Sequence, residues 1–325
     1  MAEKVILDVD TGSDDAIAIM AAALSPEIEL LGISTVNGNR SVDITTTNTL
    51  RLLDYLGVDL PVYRGCHLPL VASLLKGRRK HIPYIGPENK EEDVHGSYLP
   101  LPETTNIPQP EHAVFWLVDR LKNAREGITV IAVGPLTNLA MALRIAPEIV
   151  DNMKEIIIMG GGYQVNNISS GAEFNFWIDP EAAKIVADCG APLRVVPLDA
   201  THKAYISWDE AEEFVQMGTP ASIFCGNLIK QRIAGYNHFQ PMPVYNTAPI
   251  HDALAVCSLI DADVLKDCIH VNMDISFSPG ITDGMSLFDI GGRDRDRKAN
   301  ALLARGANRE KFVDLLKRIL GTAVE

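Results

Sequence analysis

The sequence predicts a single α/β domain spanning residues 1–325, with a mostly parallel, mixed central sheet and helices on both faces. Three observations predict it. Short β-branched runs alternate with amphipathic stretches of helical length, the pattern of βαβ units. Hydrophobic residues make up 47% of the chain, enough for one large core. No repeat or low-complexity linker divides it.

The elements follow in order. Residues 5–7 form a buried strand, and Ile17, Met20, Ala21 and Leu24 recur at helical spacing after it. A second strand covers 30–36. Ser41 caps a helix over 42–56 that ends at Gly57, and 61–63 is a third strand. Residues 66–110 break the pattern as a long loop rich in Pro, Gly and charge, of the kind that carries function. Its basic run, Lys76 to Lys80, reads as a solvated face. Helices over 112–124 and 136–146 flank a strand at 128–133. A strand at 155–159 ends in Gly160-Gly161-Gly162, and 163–176 is a second irregular stretch. Asp179-Pro180 opens a helix. A strand covers 193–198, helices cover 208–217 and 220–234, and 236–250 is a third loop. A helix over 251–260, a hairpin from 268–276 and 285–290, and a helix over 309–320 complete the chain. Trp177 and Trp208 are expected in the core.

Asp8, Asp10, Asp14 and Asp15 fall between the first strand and the first helix. Asp14 and Asp15 suit a helix N-terminus, but capping does not explain Asp8 and Asp10. Crowded carboxylates are costly without a positive partner, and all-oxygen ligands favour Ca²⁺ or Mg²⁺. Four more polar groups sit at strand ends or helix starts. These are Asn37-Gly38-Asn39, the residues around Gly134-Pro135, Glu173-Phe174-Asn175 and His251-Asp252. A parallel sheet brings such positions to one rim. Asn and carboxylate side chains suit sugar hydroxyls.

A net charge of −13 argues against nucleic-acid and membrane-surface partners. Five scattered cysteines without a C-x-x-C pair, and no signal-peptide pattern, lead to the expectation of a cytoplasmic protein with reduced thiols.

Asp8-Val9-Asp10-Thr11-Gly12-Ser13-Asp14-Asp15-Ala16 resembles the signature of the nucleoside hydrolase family, the inosine-uridine preferring nucleoside N-ribohydrolases. Gly134-Pro135-Leu136-Thr137-Asn138, Met159-Gly160-Gly161-Gly162, Ala172-Glu173-Phe174-Asn175, Asp179-Pro180-Glu181-Ala182-Ala183 and His251-Asp252 resemble its further motifs in the same order. The resemblance implies Ca²⁺-dependent hydrolysis of the N-glycosidic bond through an oxocarbenium-like transition state, releasing base and ribose. By the same resemblance, Asp10, Asp15, the Val133 carbonyl and Asp252 are the metal ligands, and Asp10 is also the general base. Asp14, Asn39, Asn167, Glu173 and Asn175 hold the ribose, with Met159 and Phe174 beside it. His251 stands where a proton donor to the leaving base is placed. His95, Tyr236 and His238 are base-pocket candidates. A homodimer or homotetramer is implied as well.

The chain departs from the family at Thr11, where Pro is usual, and at His95-Gly96-Ser97-Tyr98-Leu99, which lacks a later Gly. Segment 236–240 is also extended. Two other readings compete. One is a non-catalytic Ca²⁺- or nucleoside-binding protein on the same fold. The other is a phosphatase, because Asp8-Val9-Asp10-Thr11 is similar to the nucleophile motif of haloacid-dehalogenase-like enzymes.

Overall fold

The computed structural model describes residues 2–71, 74–75, 98–294 and 296–322. His95 and the basic run from Lys76 to Lys80 lie outside these residues.

The chain begins with β1 (Glu3–Val9), α1 (Ser13–Leu24), β2 (Ile28–Thr35), α2 (Val42–Leu56) and β3 (Val62–Arg64). It continues through α3 (Ala113–Lys122), β4 (Ile128–Ala132), α4 (Thr137–Ile145), β5 (Met153–Met159), α5 (Phe174–Ile178), α6 (Pro180–Ala187) and β6 (Leu193–Val196). Next come α7 (Leu198–Thr201), β7 (Tyr205–Ser207), α8 (Trp208–Gln216), α9 (Pro220–Phe239), β8 (Thr247–Pro249) and α10 (His251–Ile260). The last elements are β9 (Leu265–Lys266), β10 (Ile269–Val271), β11 (Met273–Ile275), β12 (Ser286–Phe288), β13 (Ala301–Leu303), β14 (Gly306–Ala307) and α11 (Arg309–Leu320).

Eight strands form the main sheet, in the order β10-β13-β6-β5-β4-β1-β2-β3. All neighbours pair in parallel except β10 with β13. The sheet is thus mixed, as expected. Strand order reverses between β1 and β4. In an open α/β sheet, ligands bind at the carboxyl ends of the strands at such a switch point.

The strands bury both faces by simple alternation. Val5, Leu7 and Val9 of β1 enter one core with α1, α9, α10 and α11, while Ile6 enters the other, formed with α3, α4 and α6. β5 splits the same way, with Ile157 and Met159 on one side and Ile156 and Ile158 on the other. A strand buried on both faces reads as a continuous apolar run.

Several boundaries differ from the sequence reading. α9 runs through Gly235 to Phe239, so residues 236–239 are helix and the loop begins later. A helical glycine costs about 1 kcal/mol, and burial of Tyr236 at 8% exposure offsets it. The stretch 268–276 splits into β10 and β11, in different sheets, and β11 pairs with β12 as the expected hairpin. Phe174 begins the short α5 within a stretch read as irregular. Leu198 and Asp199 lie in α7 instead of a strand. Trp208 is 40% exposed, with Lys230 Nζ over its ring; it starts an amphipathic helix and faces outward, outside the core.

Asp179 ties three segments together. One oxygen accepts the Ala182 N–H at 3.1 Å and caps α6. The other accepts the Thr137 hydroxyl at 2.7 Å and the Leu70 N–H at 2.8 Å. Asp179→Ala orphans all three donors and is expected to lower the unfolding free energy by about 2–4 kcal/mol, read from urea unfolding midpoints.

Candidate active site

The loop between β1 and α1 carries the acidic cluster to the switch point. Asp15, the third residue of α1, folds its carboxylate back over the turn. Its Oδ1 accepts the Asp10 N–H at 3.0 Å, and its Oδ2 accepts the Gly12 N–H at 2.9 Å and the Asn39 side-chain amide at 3.1 Å. Asp10 Oδ2 accepts the Asn39 backbone N–H at 2.6 Å. Asn39 is thereby drawn from the end of β2 to both acids. Thr11 is held by α2, with its Oγ1 2.7 Å from Thr49 Oγ1 and its carbonyl accepting Asn48 Nδ2 at 2.9 Å. The unusual Thr thus finds a partner that Pro lacks.

Close packing around Asp10 requires two glycines. A Cβ on Gly38 would lie 2.1 Å from Asp10 Oδ2, and one on Gly134 would lie 2.7 Å from Oδ1.

Asp8, Asp10, Asp14, Asp15 and Asp252 are all buried. One carboxylate oxygen from each of Asp14, Asp15 and Asp252 lies within 4.8 Å of the others. Burial pushes Asp10 and Asp252 well above the usual carboxylate range, and neighbouring acids push further. Asp15 is raised to about 6 by burial and by Asp14. This is the charge crowding that a cation relieves. The donor set is all oxygen, which fits a hard divalent ion.

Asp8 is different. Its Oδ1 accepts the Ser34 hydroxyl and, at 2.8 Å, the Asn138 amide. It is fully buried at 0% exposure and joins β1 to β2 and α4. These contacts give Asp8 a structural task, tying the end of β1 to its neighbours.

The ribose candidates form the opposite wall. Asn175 Nδ2 donates to the Val133 carbonyl at 2.8 Å and the Met159 carbonyl at 3.1 Å. The Met159 sulfur lies 3.6 Å from the same amide. Val133 keeps a second lone pair for another partner. Glu173 accepts N–H groups from Asn175, Gly161 and Phe176 and caps α5. Burial raises it to about 7. Asn167 is exposed, and its Oδ1 accepts the Phe174 N–H at 3.0 Å.

His251 opens α10 between two hydroxyls. Its Nδ1 is 2.7 Å from Thr201 Oγ1, and its Nε2 is 2.8 Å from the Tyr236 hydroxyl. The His202 ring centre lies 5.7 Å away, and burial lowers His202 to about 4. Burial also raises Tyr236 to about 12, so it stays a hydroxyl donor. His238 does not join them. It is exposed and packs edge-on against Phe239. Residues two apart on a helix face apart, so only Tyr236 turns inward.

Three residues of this site carry no role in the sequence reading: Arg232, Thr201 and Ser13. Arg232 is 2% exposed, pairs with Asp14 Oδ1 at 2.9 Å and donates to Ser13 Oγ at 2.8 Å. One sequence signal points to it. Leu228, Arg232 and Tyr236 recur every four residues, which places a charge on a buried stripe of α9.

A buried, oxygen-rich cluster at the switch point of a doubly wound sheet is the frame of a small-molecule enzyme. Comparison with known proteins narrows the class. Residues 5–314 match the family described as inosine-uridine preferring nucleoside hydrolase. An uncharacterized protein of Schizosaccharomyces pombe is 35% identical, across 98% of this chain and 99% of its own. The pyrimidine-specific ribonucleoside hydrolase RihB of Escherichia coli is 36% identical, covering 85% of this chain and 84% of its own. A purine-preferring ribonucleoside hydrolase from Gardnerella vaginalis superposes with a TM-score of 0.86 at 28% identity, covering 98% of each chain. A plant nucleoside hydrolase superposes with a TM-score of 0.86 at 27% identity, covering 99% of this chain and all of its own. The chain belongs to the nucleoside hydrolase family and is a hydrolase acting on N-glycosyl bonds.

The raised acids set a pH dependence. Asp8 and Asp15 move from 3.8 to about 6, and Glu173 from 4.5 to about 7. Raised carboxyls favour the fold while protonated, so their contribution is complete below their unfolded values and lost as pH rises through the folded ones. The thermal midpoint of chelator-treated protein is expected to fall between about pH 4 and pH 7, and a saturating hard divalent cation to flatten that fall. Differential scanning fluorimetry across a pH series measures both.

Proposed function

We propose that the chain hydrolyses ribonucleosides to free base and ribose with Ca²⁺ as its cofactor. The observation that carries this reading is the buried cluster of Asp10, Asp14, Asp15 and Asp252 beside Asn39 at the end of β1. Asp10, Asp15, Asp252 and the Val133 carbonyl would hold the cation. A divalent cation bound there acidifies water and holds a vicinal diol.

The chain's own groups then do the following work. Asp10 accepts the proton of the attacking water, because burial beside Asp15 makes it a stronger base than an exposed aspartate. Asp14, Asn39 and Asn175 hold ribose hydroxyls, with Glu173 and Asn167 along the same wall. As the bond from C1′ to the base nitrogen stretches, positive charge grows on the sugar ring. Carboxylates fixed beforehand favour that charge. His251 delivers a proton toward the leaving base, and its contacts with Tyr236 and Thr201 orient the ring. Tyr236 stands beside the base. His95 and Phe174 complete the proposed pocket.

The relatives include a pyrimidine-specific enzyme at 36% identity and a purine-preferring one at 28%, so family membership leaves base choice open and we assign it to the loops around the pocket. Five free thiols support a reducing, cytoplasmic setting, and family resemblance supports a homodimer or homotetramer.

Asp10→Ala is expected to lower release of free base by at least about 1000-fold with Ca²⁺ binding weakened as well. Exhaustive chelation is expected to abolish turnover, and added Ca²⁺ to restore it. Assay of a purine and pyrimidine nucleoside panel for reducing sugar reads both effects. Ligand binding without sugar release would leave a binding protein in place of the enzyme.

A further inference from the structure

Arg232 is a guanidinium buried at 2% exposure on a helix stripe it shares with the buried Leu228 and Tyr236. Its Nη1 reaches Asp14 Oδ1 at 2.9 Å and Ser13 Oγ at 2.8 Å, and its Nη2 reaches the Pro249 carbonyl at 3.3 Å. Its Nε–H is buried without a hydrogen-bond partner. Leaving a buried donor unpaired costs stability, so the side chain is poorly explained by packing. Of the carboxylates that face one another, Asp14, Asp15 and Asp252 bring their oxygens nearest together. Distance alone would make Asp14 a cation ligand. Asp14, however, is the one ion-paired to Arg232.

Resting on the reading above, we propose that Arg232 divides the acidic cluster into two roles. It holds Asp14 out of the cation's coordination and presents it to a ribose hydroxyl, leaving Asp10, Asp15 and Asp252 for the metal. Arg232 is a positioning residue: it acts through Asp14. A guanidinium is suited to this, because its charge is permanent and its planar fork fixes a carboxylate in orientation. It also lies within electrostatic reach of Asp252 and Asp15. It therefore lowers the site's attraction for the cation while securing the sugar contact.

The test uses the full chain, titrated with Ca²⁺ alone by calorimetry and assayed separately for release of base from a ribonucleoside. Arg232→Met is expected to bind Ca²⁺ about 10-fold more tightly, because a repelling charge is gone and Asp14 is released. Its KM for nucleoside is expected to rise at least about 10-fold, with kcat changing less. A purely structural arginine would give no tightening. Asp14→Asn keeps the shape of the site and guards against an Arg232 variant that misfolds. It is expected to keep Ca²⁺ affinity within about 10-fold of the parent while losing at least about 100-fold in kcat/KM. Unchanged or weaker Ca²⁺ binding in Arg232→Met, or loss of Ca²⁺ binding in Asp14→Asn, overturns the proposal. Parent protein that neither binds Ca²⁺ nor releases base overturns the underlying reading instead.

Discussion

Four carboxylates buried together at the end of one strand are the constraint on which this structure turns. Asp10, Asp14, Asp15 and Asp252 would repel one another and lose hydration with no return. The surrounding fold supplies partial compensation from several directions. Asp15 receives two backbone N–H groups and the Asn39 amide. Asp14 and Asp15 lie in the first turn of α1, and Asp252 lies in the first turn of α10, where helix dipoles favour negative charge. Arg232 adds one full positive charge. These contributions still leave Asp10, Asp15 and Asp252 raised. A site left short of positive charge suits a cation, which is what the proposed function asks of it.

The sheet order places this cluster. β1 sits between β2 and β4, so its carboxyl end is flanked by Asn37 to Asn39 on one side and by Val133 and Gly134 on the other. Gly38 and Gly134 allow both loops to close on Asp10 within a Cβ's distance. The triple glycine after β5 serves the same rim: Gly161 donates to Glu173, and Gly162 exchanges hydrogen bonds with Ser286. It anchors the wall that carries Glu173 and Asn175, and it lacks the spacing of a nucleotide phosphate loop. On the far side, α7, α9 and α10 each contribute one residue to the Thr201, Tyr236 and His251 chain.

Much of this was legible in the chain because the signals are local. The continuous apolar runs of β1 and β5, the helix over 42–56 with its left-handed Gly57 at a φ of 67°, and the Asp179-Pro180 start of α6 depend on residues close in sequence. The motif residues were legible for a related reason, since polar groups at strand ends are conspicuous against apolar runs. The end of α9 was misread because Gly235 looks like a stop. Only the burial of Tyr236 against His251 shows why the helix continues. The direction of His238 was hidden for the same reason, since it depends on whether that segment is helix or loop.

The sequence by itself determined the order of elements, the parallel character of the sheet and the acidic turn at its rim, because periodicity and turn chemistry act over a few residues. Tertiary structure decided which acid faces which partner. Ser13 and Arg232 lie 219 residues apart and meet at 2.8 Å. A buried position on a helix can be read from spacing, but the identity of what it meets depends on how the sheet brings distant helices together.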